Sequence, residues 1–161
     1  MKSVPIHFIS KYLVLSSLVL SGLLNSCSST DVMEVRQYHL SSVNPVHKDA
    51  RMIRGEQMYR LRGAVTLEER QARLGQYYTV IWKNPTASTE PLRIIMDYQQ
   101  TATGSKPLRM MRDLPGNQSS GRCEFNVTSE AYRVGGRVLS WRIRMMQGDR
   151  VLAEKRSYLW R

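Results

Sequence analysis

The chain has 161 residues, 42% of them hydrophobic and 23% charged, with 24 Lys and Arg against 13 Asp and Glu. That length fits one domain and excludes a large multidomain enzyme, and the hydrophobic share excludes a disordered or collagen-like chain. The formal charge of +11 favours acidic partners without bearing on the fold.

The first element in chain order is an export signal. Residues 1–11 carry Lys2 and Lys11, and an apolar run follows over 12–24, broken only by Ser16, Ser17, Ser21 and Gly22. A positive start before a short apolar run reads as a secretory signal, since about 20 residues are needed to span a bilayer as a helix. The run ends in Leu24-Asn25-Ser26-Cys27. These four residues resemble the lipobox of bacterial lipoproteins, with Leu three before the cysteine and a small residue just before it. The resemblance covers the first sixth of the chain and implies an address rather than an activity. It implies that Cys27 receives a diacylglyceryl thioether and that 1–26 are removed. An ordinary signal peptide cleaved nearby, with Cys27 incidental, is the alternative. The anchored chain would span 27–161 and, with Lys2 and Lys11 gone, would remain strongly basic. Each buried acyl CH₂ contributes about 0.8 kcal/mol, so two or three acyl chains make anchoring stable. Ser28 follows Cys27, where an Asp in many Gram-negative lipoproteins signals inner-membrane retention, so the same resemblance implies the outer membrane, facing the periplasm.

The remainder divides into an anchored tether with a first strand (27–56) and a β-sandwich domain (57–161). Strands are expected over 33–40 and 57–65, with an irregular link over 41–55 between them. Thr66-Leu67-Glu68-Glu69 matches a capping box and Gly75 can close the helix, which places a short helix near 67–74. Tyr77-Tyr78-Thr79-Val80-Ile81-Trp82 is aromatic and β-branched and stops at Asn84-Pro85. Leu92, Ile94, Met96 and Tyr98 alternate with Arg93, Ile95, Asp97 and Gln99, a strand period. Further strands are expected over 108–114, around Cys123, Phe125 and Val127, and from 139 onward. Gly135-Gly136 predicts a tight hairpin, and Gly148-Asp149 another that returns 151–160 antiparallel. The sum is an all-β, antiparallel sandwich of about seven to eight strands. Tyr77-Tyr78-x-Val80-x-Trp82 and the paired last hairpin resemble immunoglobulin-like or fibronectin-like modules, without the inter-sheet disulfide of antibody domains. Trp82, Trp141 and Trp160 are candidate core residues, and Met110-Met111 and Met145-Met146 must each point one Met outward.

Signals for catalysis are weak. His39 and His47 are eight apart and fit no metal-ligand pattern, and Gly104-Ser105-Lys106 lacks the spacing of a phosphate loop. Adjacent Glu68 and Glu69 point to different sides of a helix and are explained by a capped start. With Cys27 acylated, Cys123 has no partner within the chain and reads as a small core hydrophobe. No catalytic residue, metal or cofactor is expected.

Arginine is the one feature with functional colour, because Arg rather than Lys supplies most of the positive charge. Arg60, Arg62, Arg142 and Arg144 are candidate anion-binding residues, the last two about 7 Å apart on one strand face. Arg forms bidentate bonds to carboxylate and phosphate, and an exported, anchored protein does not meet nucleic acid. The sequence therefore supports a non-catalytic interaction or structural module of the envelope, with membrane lipid and an envelope protein as partners. Alternatives are a binder of an anionic glycopolymer or lipid phosphate through an arginine face, and a small envelope enzyme with scattered residues. One arginine face formed by all four residues would favour the second, and a large exposed apolar patch the first.

Overall fold

The computed structural model describes residues 31–44, 50–86 and 88–161, so Cys27 and His47 lie outside the described residues. Seven strands form two antiparallel sheets. The first contains β1 (Met33–Leu40), β2 (Gly75–Lys83) and β5 (Ser120–Thr128), in the order β1-β2-β5. The second contains β3 (Leu92–Gln100), β4 (Leu108–Leu114), β6 (Val138–Gln147) and β7 (Arg150–Arg156), in the order β4-β3-β6-β7. Three short helices, α1 (Arg51–Leu61), α2 (Leu67–Ala72) and α3 (Ser129–Gly135), occupy the connections. The expected all-β sandwich with a short capped helix is thus observed. The compact unit that holds both sheets is Val32–Arg161, and β1 pairs with β2 along its full length, so the first strand is a member of the sandwich.

Strand alternation assigns the faces. On β2, Tyr78, Val80 and Trp82 point inward against Phe125 and Val127 of β5, and from the facing sheet Leu92, Ile94, Met96, Ile143 and Met145 meet them. All of these side chains are essentially inaccessible. Cys123 packs at the margin of this core, where burial pushes its thiol pKa up to about 11, as expected of a small hydrophobe rather than a nucleophile. Met110 and Met145 face inward while Met111 and Met146 face out. Trp141 leans edge-on against Tyr78 with ring centroids 5.7 Å apart.

Four local expectations are corrected. The stretch 57–65 is not a strand: α1 (Arg51–Leu61) takes up the end of the expected link and the first half of the expected strand, with Arg62 as its C-cap. The alternation of Tyr59-Arg60-Leu61-Arg62 imitates a period of two, but the residues that pack are Gln57 and Arg60, spaced as on a helix. Gly75 does not cap α2, which ends at Arg73; it opens β2 at φ +147°, close against the Val127 carbonyl. Gly135-Gly136 makes no hairpin, because β5 and β6 belong to different sheets and α3 carries the chain between them. Trp160 lies past the end of β7 and outside the core, packed on an arginine. By contrast the Gly148 turn joins β6 to β7 with Gly148 at φ +55°, as a tight hairpin requires.

Gly75→Ala tests the entry to β2. A Cβ there would overlap the Val127 carbonyl oxygen in a backbone region that L-residues avoid, and the expected loss is about 2 kcal/mol in urea unfolding. An unchanged midpoint would show that β2 tolerates a different start.

Candidate functional site

The four candidate arginines divide between the two outer faces of the sandwich. Arg60 projects from α1 onto the outer face of the three-stranded sheet. Its Nη1 and Nη2 donate to the two Glu124 oxygens at 2.9 and 3.1 Å, and its Nε donates to Glu56 Oε1 at 2.8 Å. The guanidinium also stacks 4.3 Å from the centre of the Tyr77 ring, and only 5% of the side chain is exposed. Thr79 donates to Glu124 from the neighbouring strand. This arrangement binds helix to sheet: it consumes the charge of Arg60 internally. Arg62 sits just past α1, its guanidinium 5.8 Å from the Tyr59 ring and its carbonyl accepting from Arg73.

Arg142 and Arg144 lie on the opposite outer face, where the strand pattern of β3 places Asp97. Register brings Asp97 opposite Arg109 on β4 and opposite Arg142 on β6. Asp97 Oδ1 accepts from Arg109 Nε at 2.6 Å, while Oδ2 accepts from Arg142 Nη2 at 3.2 Å and Arg144 Nη2 at 2.9 Å. The Asp97 side chain is 4% exposed. Burial alone would raise its pKa, but the hydrogen bonds from Arg109 and Arg142 and the Arg109 charge outweigh that and hold it below the usual carboxylate range. Ile95, beside it on the same face, is buried with Met111 and Arg144 as its cross-strand neighbours. The chain past β7 folds back onto this face. Ser157 bonds to the Trp141 backbone in both directions, at 2.8 and 2.9 Å, and Trp160 then sets its ring 5.1 Å from the Arg142 guanidinium.

The structure therefore unites Arg142 with Arg144 and separates both from Arg60 and Arg62, so no single face carries the four. It adds Asp97, Arg109 and Trp160, which sequence reasoning left among strand residues and core candidates. The alternation of 92–99 put Asp97 on a polar side, but its partners required the pairing register. His39 shares a 2.7 Å hydrogen bond with the Tyr132 hydroxyl, tying β1 to α3; burial and the nearby Arg137 charge lower its pKa. The expected capping box is complete: the Glu69 carboxylate accepts from the Thr66 backbone N–H, and the Thr66 hydroxyl accepts from the Glu69 backbone N–H. Among the described residues no cluster of three or more His, Cys, Asp or Glu is arranged to hold a metal ion. An arrangement of three arginines on one carboxylate can bind and orient anions, and it holds strands together.

No protein-family model matches this chain, and no curated protein or solved structure matches it either.

Asp97→Asn removes the charge that three guanidinium groups share. The expected loss is about 3 kcal/mol, because removing one partner leaves partly buried cations without compensation. Asp113→Asn, at the exposed pair with Arg93, should cost under about 1 kcal/mol. The pH dependence has a defined sign. A carboxyl held below its ordinary 3.8 contributes stability that is complete above that value and is lost as pH falls through the lower folded value. The stability gap between wild type and Asp97→Asn should therefore be constant from neutral pH to about 5 and narrow below about 4. A gap independent of pH in urea titrations would mean that Asp97 is not the charged centre of this cluster.

Proposed function

We propose that the chain is a lipid-anchored protein of the cell envelope, acylated at Cys27, whose β-sandwich serves as a non-catalytic interaction or structural module. The address rests on the apolar run that ends at Leu24-Asn25-Ser26-Cys27, and Ser28 supports the outer membrane, facing the periplasm, as the destination. The likeness to immunoglobulin-like and fibronectin-like modules belongs to the same reading, and the order β1-β2-β5 facing β4-β3-β6-β7 supports it.

The observation that carries the interaction role is the polarity of α1. A surface helix ordinarily buries its apolar stripe and exposes its charges. Here the buried residues are Gln57 and Arg60. Gln57 donates to the Ser42 and Asn44 carbonyls, and Arg60 grips Glu124. Most of the apolar residues face outward: Met52 is 87% exposed and Met58 72%, with Ile53 and Tyr59 about half exposed. Val65 and Leu67, at the entry to α2, are exposed as well. Apolar surface displayed by a helix that is fastened on its polar side is surface for a protein partner.

A second reading, binding of an anionic envelope component through an arginine face, is favoured by Arg142 and Arg144 beside Asp97. Arg60 and Arg62 do not support it, since Arg60 is buried against Glu124 and Arg62 lies on the same side of the sandwich.

Wild type expressed in a Gram-negative host should take up labelled palmitate and fractionate with membranes, whereas Cys27→Ala should take up no label and move to the soluble fraction. Unchanged partitioning of the mutant, or an unlabelled wild type, removes the anchoring claim. A photo-crosslinker at Met58 in intact envelopes should give a discrete protein adduct that Met52→Glu abolishes, and a probe at Arg93 should not. Equal adducts from both positions would remove the interaction claim.

A further inference from the structure

Across the outer face of the four-stranded sheet runs a row of directly opposed residues: Arg109 on β4, Asp97 on β3, Arg142 on β6 and Arg156 on β7. One step along, Arg144 stands opposite Glu154. Like charges directly opposite one another destabilise an antiparallel pair, and Arg142 and Arg156 form such a pair. The carboxylate that Arg142 meets is shared, because Asp97 also accepts from Arg109 and Arg144. Four guanidinium groups thus share this patch with two carboxylates, Asp97 and Glu154, an excess of two positive charges. Each guanidinium has five N–H donors, so the hydrogen bonds to Asp97 use a small part of what is presented. The Nε atoms of both Arg142 and Arg144 are buried and find no acceptor among the described residues, and buried donors without acceptors require a physical reason. Trp160, held in place by the Ser157 turn, lies against the Arg142 guanidinium and limits its rotation.

We propose that this face binds a phosphomonoester, with the phosphate seated between Arg142 and Arg156 on the sheet and Arg109 and Arg144 completing the positive field. A phosphomonoester matches the excess in charge, being close to dianionic at neutral pH, and its three terminal oxygens accept from forks that approach from adjacent strands. A carboxylate or a sulfate ester carries one negative charge and leaves the other uncompensated. The phosphate can belong to a lipid headgroup or to a soluble phosphorylated sugar. This inference rests on the anion-binding reading and deepens it by naming the seat and the ligand class; it does not depend on acylation of Cys27.

The test uses the full chain in neutral detergent, titrated calorimetrically at low ionic strength. Glucose 1-phosphate is the soluble probe, and micelles containing phosphatidic acid are the lipid probe, with glucose and phosphatidylcholine micelles as blanks. Saturable binding of at least one phosphate probe is expected, weakened tenfold or more by Arg156→Gln and by Arg142→Gln. Arg156→Gln leaves every hydrogen bond to Asp97 in place, so it remains informative even where Arg142→Gln disturbs the fold. Arg122→Gln, which removes the same charge from the opposite outer face, should leave affinity within twofold. Binding of both probes identifies the phosphate itself as sufficient, and binding of phosphatidic acid alone identifies a lipid-borne ligand; each supports the proposal. Equal binding of glucose 6-sulfate or glucuronate overturns the phosphate class while leaving the anion-binding reading intact. No saturable binding of any anion overturns both, and equal weakening by Arg122→Gln overturns the seat.

Discussion

The Asp97 carboxylate stands on β3, between β4 and β6, and holds arginines from both neighbours. A buried carboxylate is costly to desolvate, and only good geometry with several charge-assisted hydrogen bonds offsets that cost. Three guanidinium groups supply those bonds, and they draw β4, β3 and β6 into register on the side of the sheet away from the core. The inner side of the same strands is apolar. Shifting β3 by one residue would carry Asp97 into the core and Met96 into the arginines, so the charge cluster and the hydrophobic core enforce one another. Ile95, two residues before Asp97 on the same face, is buried as well. The outer face is consequently a well-defined surface rather than a field of solvated side chains.

The opposite face is organised by a related interaction with a different result. Arg60 meets Glu124 in a bidentate pair, stacks on Tyr77 and reaches Glu56 within its own helix. Because the strongest available contact for α1 on that sheet is ionic, the helix turns its polar residues inward and its methionines outward. Two arginine clusters that differ in their share of carboxylates thus do different things. One exhausts its charge in docking a helix and thereby exposes apolar surface; the other retains a surplus of charge at the surface. Both outcomes follow from the ratio of guanidinium to carboxylate groups within reach.

That ratio also explains how the overall basicity of the chain is distributed. Some arginines are neutralised locally, as in the pairs Arg93–Asp113 and Arg133–Glu130 on exposed surface. Such pairs contribute little to stability. Arg142 on β6 and Arg156 on β7 instead stand directly opposite one another as like charges.

The amino-acid sequence determined a good deal by itself. The alternation of 92–99 and the aromatic, β-branched run of 77–82 each mark a strand from contiguous residues. Thr66 and Glu69 specify their own helix start, since a capping box closes within a single turn. The lipobox resemblance likewise resides in contiguous residues. What tertiary structure alone decided depends on partners distant in the chain. The second half of α1 reads as a strand and the first half as a link because its buried positions are polar, and Arg60 becomes a buried residue only when Glu124, from β5, is brought beneath it. Gly135-Gly136 reads as a hairpin because no local feature records that β6 belongs to the other sheet. Trp160 reads as core because its partner, the Arg142 guanidinium, comes from β6 and meets it only once the chain past β7 has folded back. Asp97 is an ordinary strand residue until pairing register places arginines on both sides of it. Local periodicity records which side of an element is buried, whereas the coupling of charges across strands is a property of register, which the chain acquires only on folding.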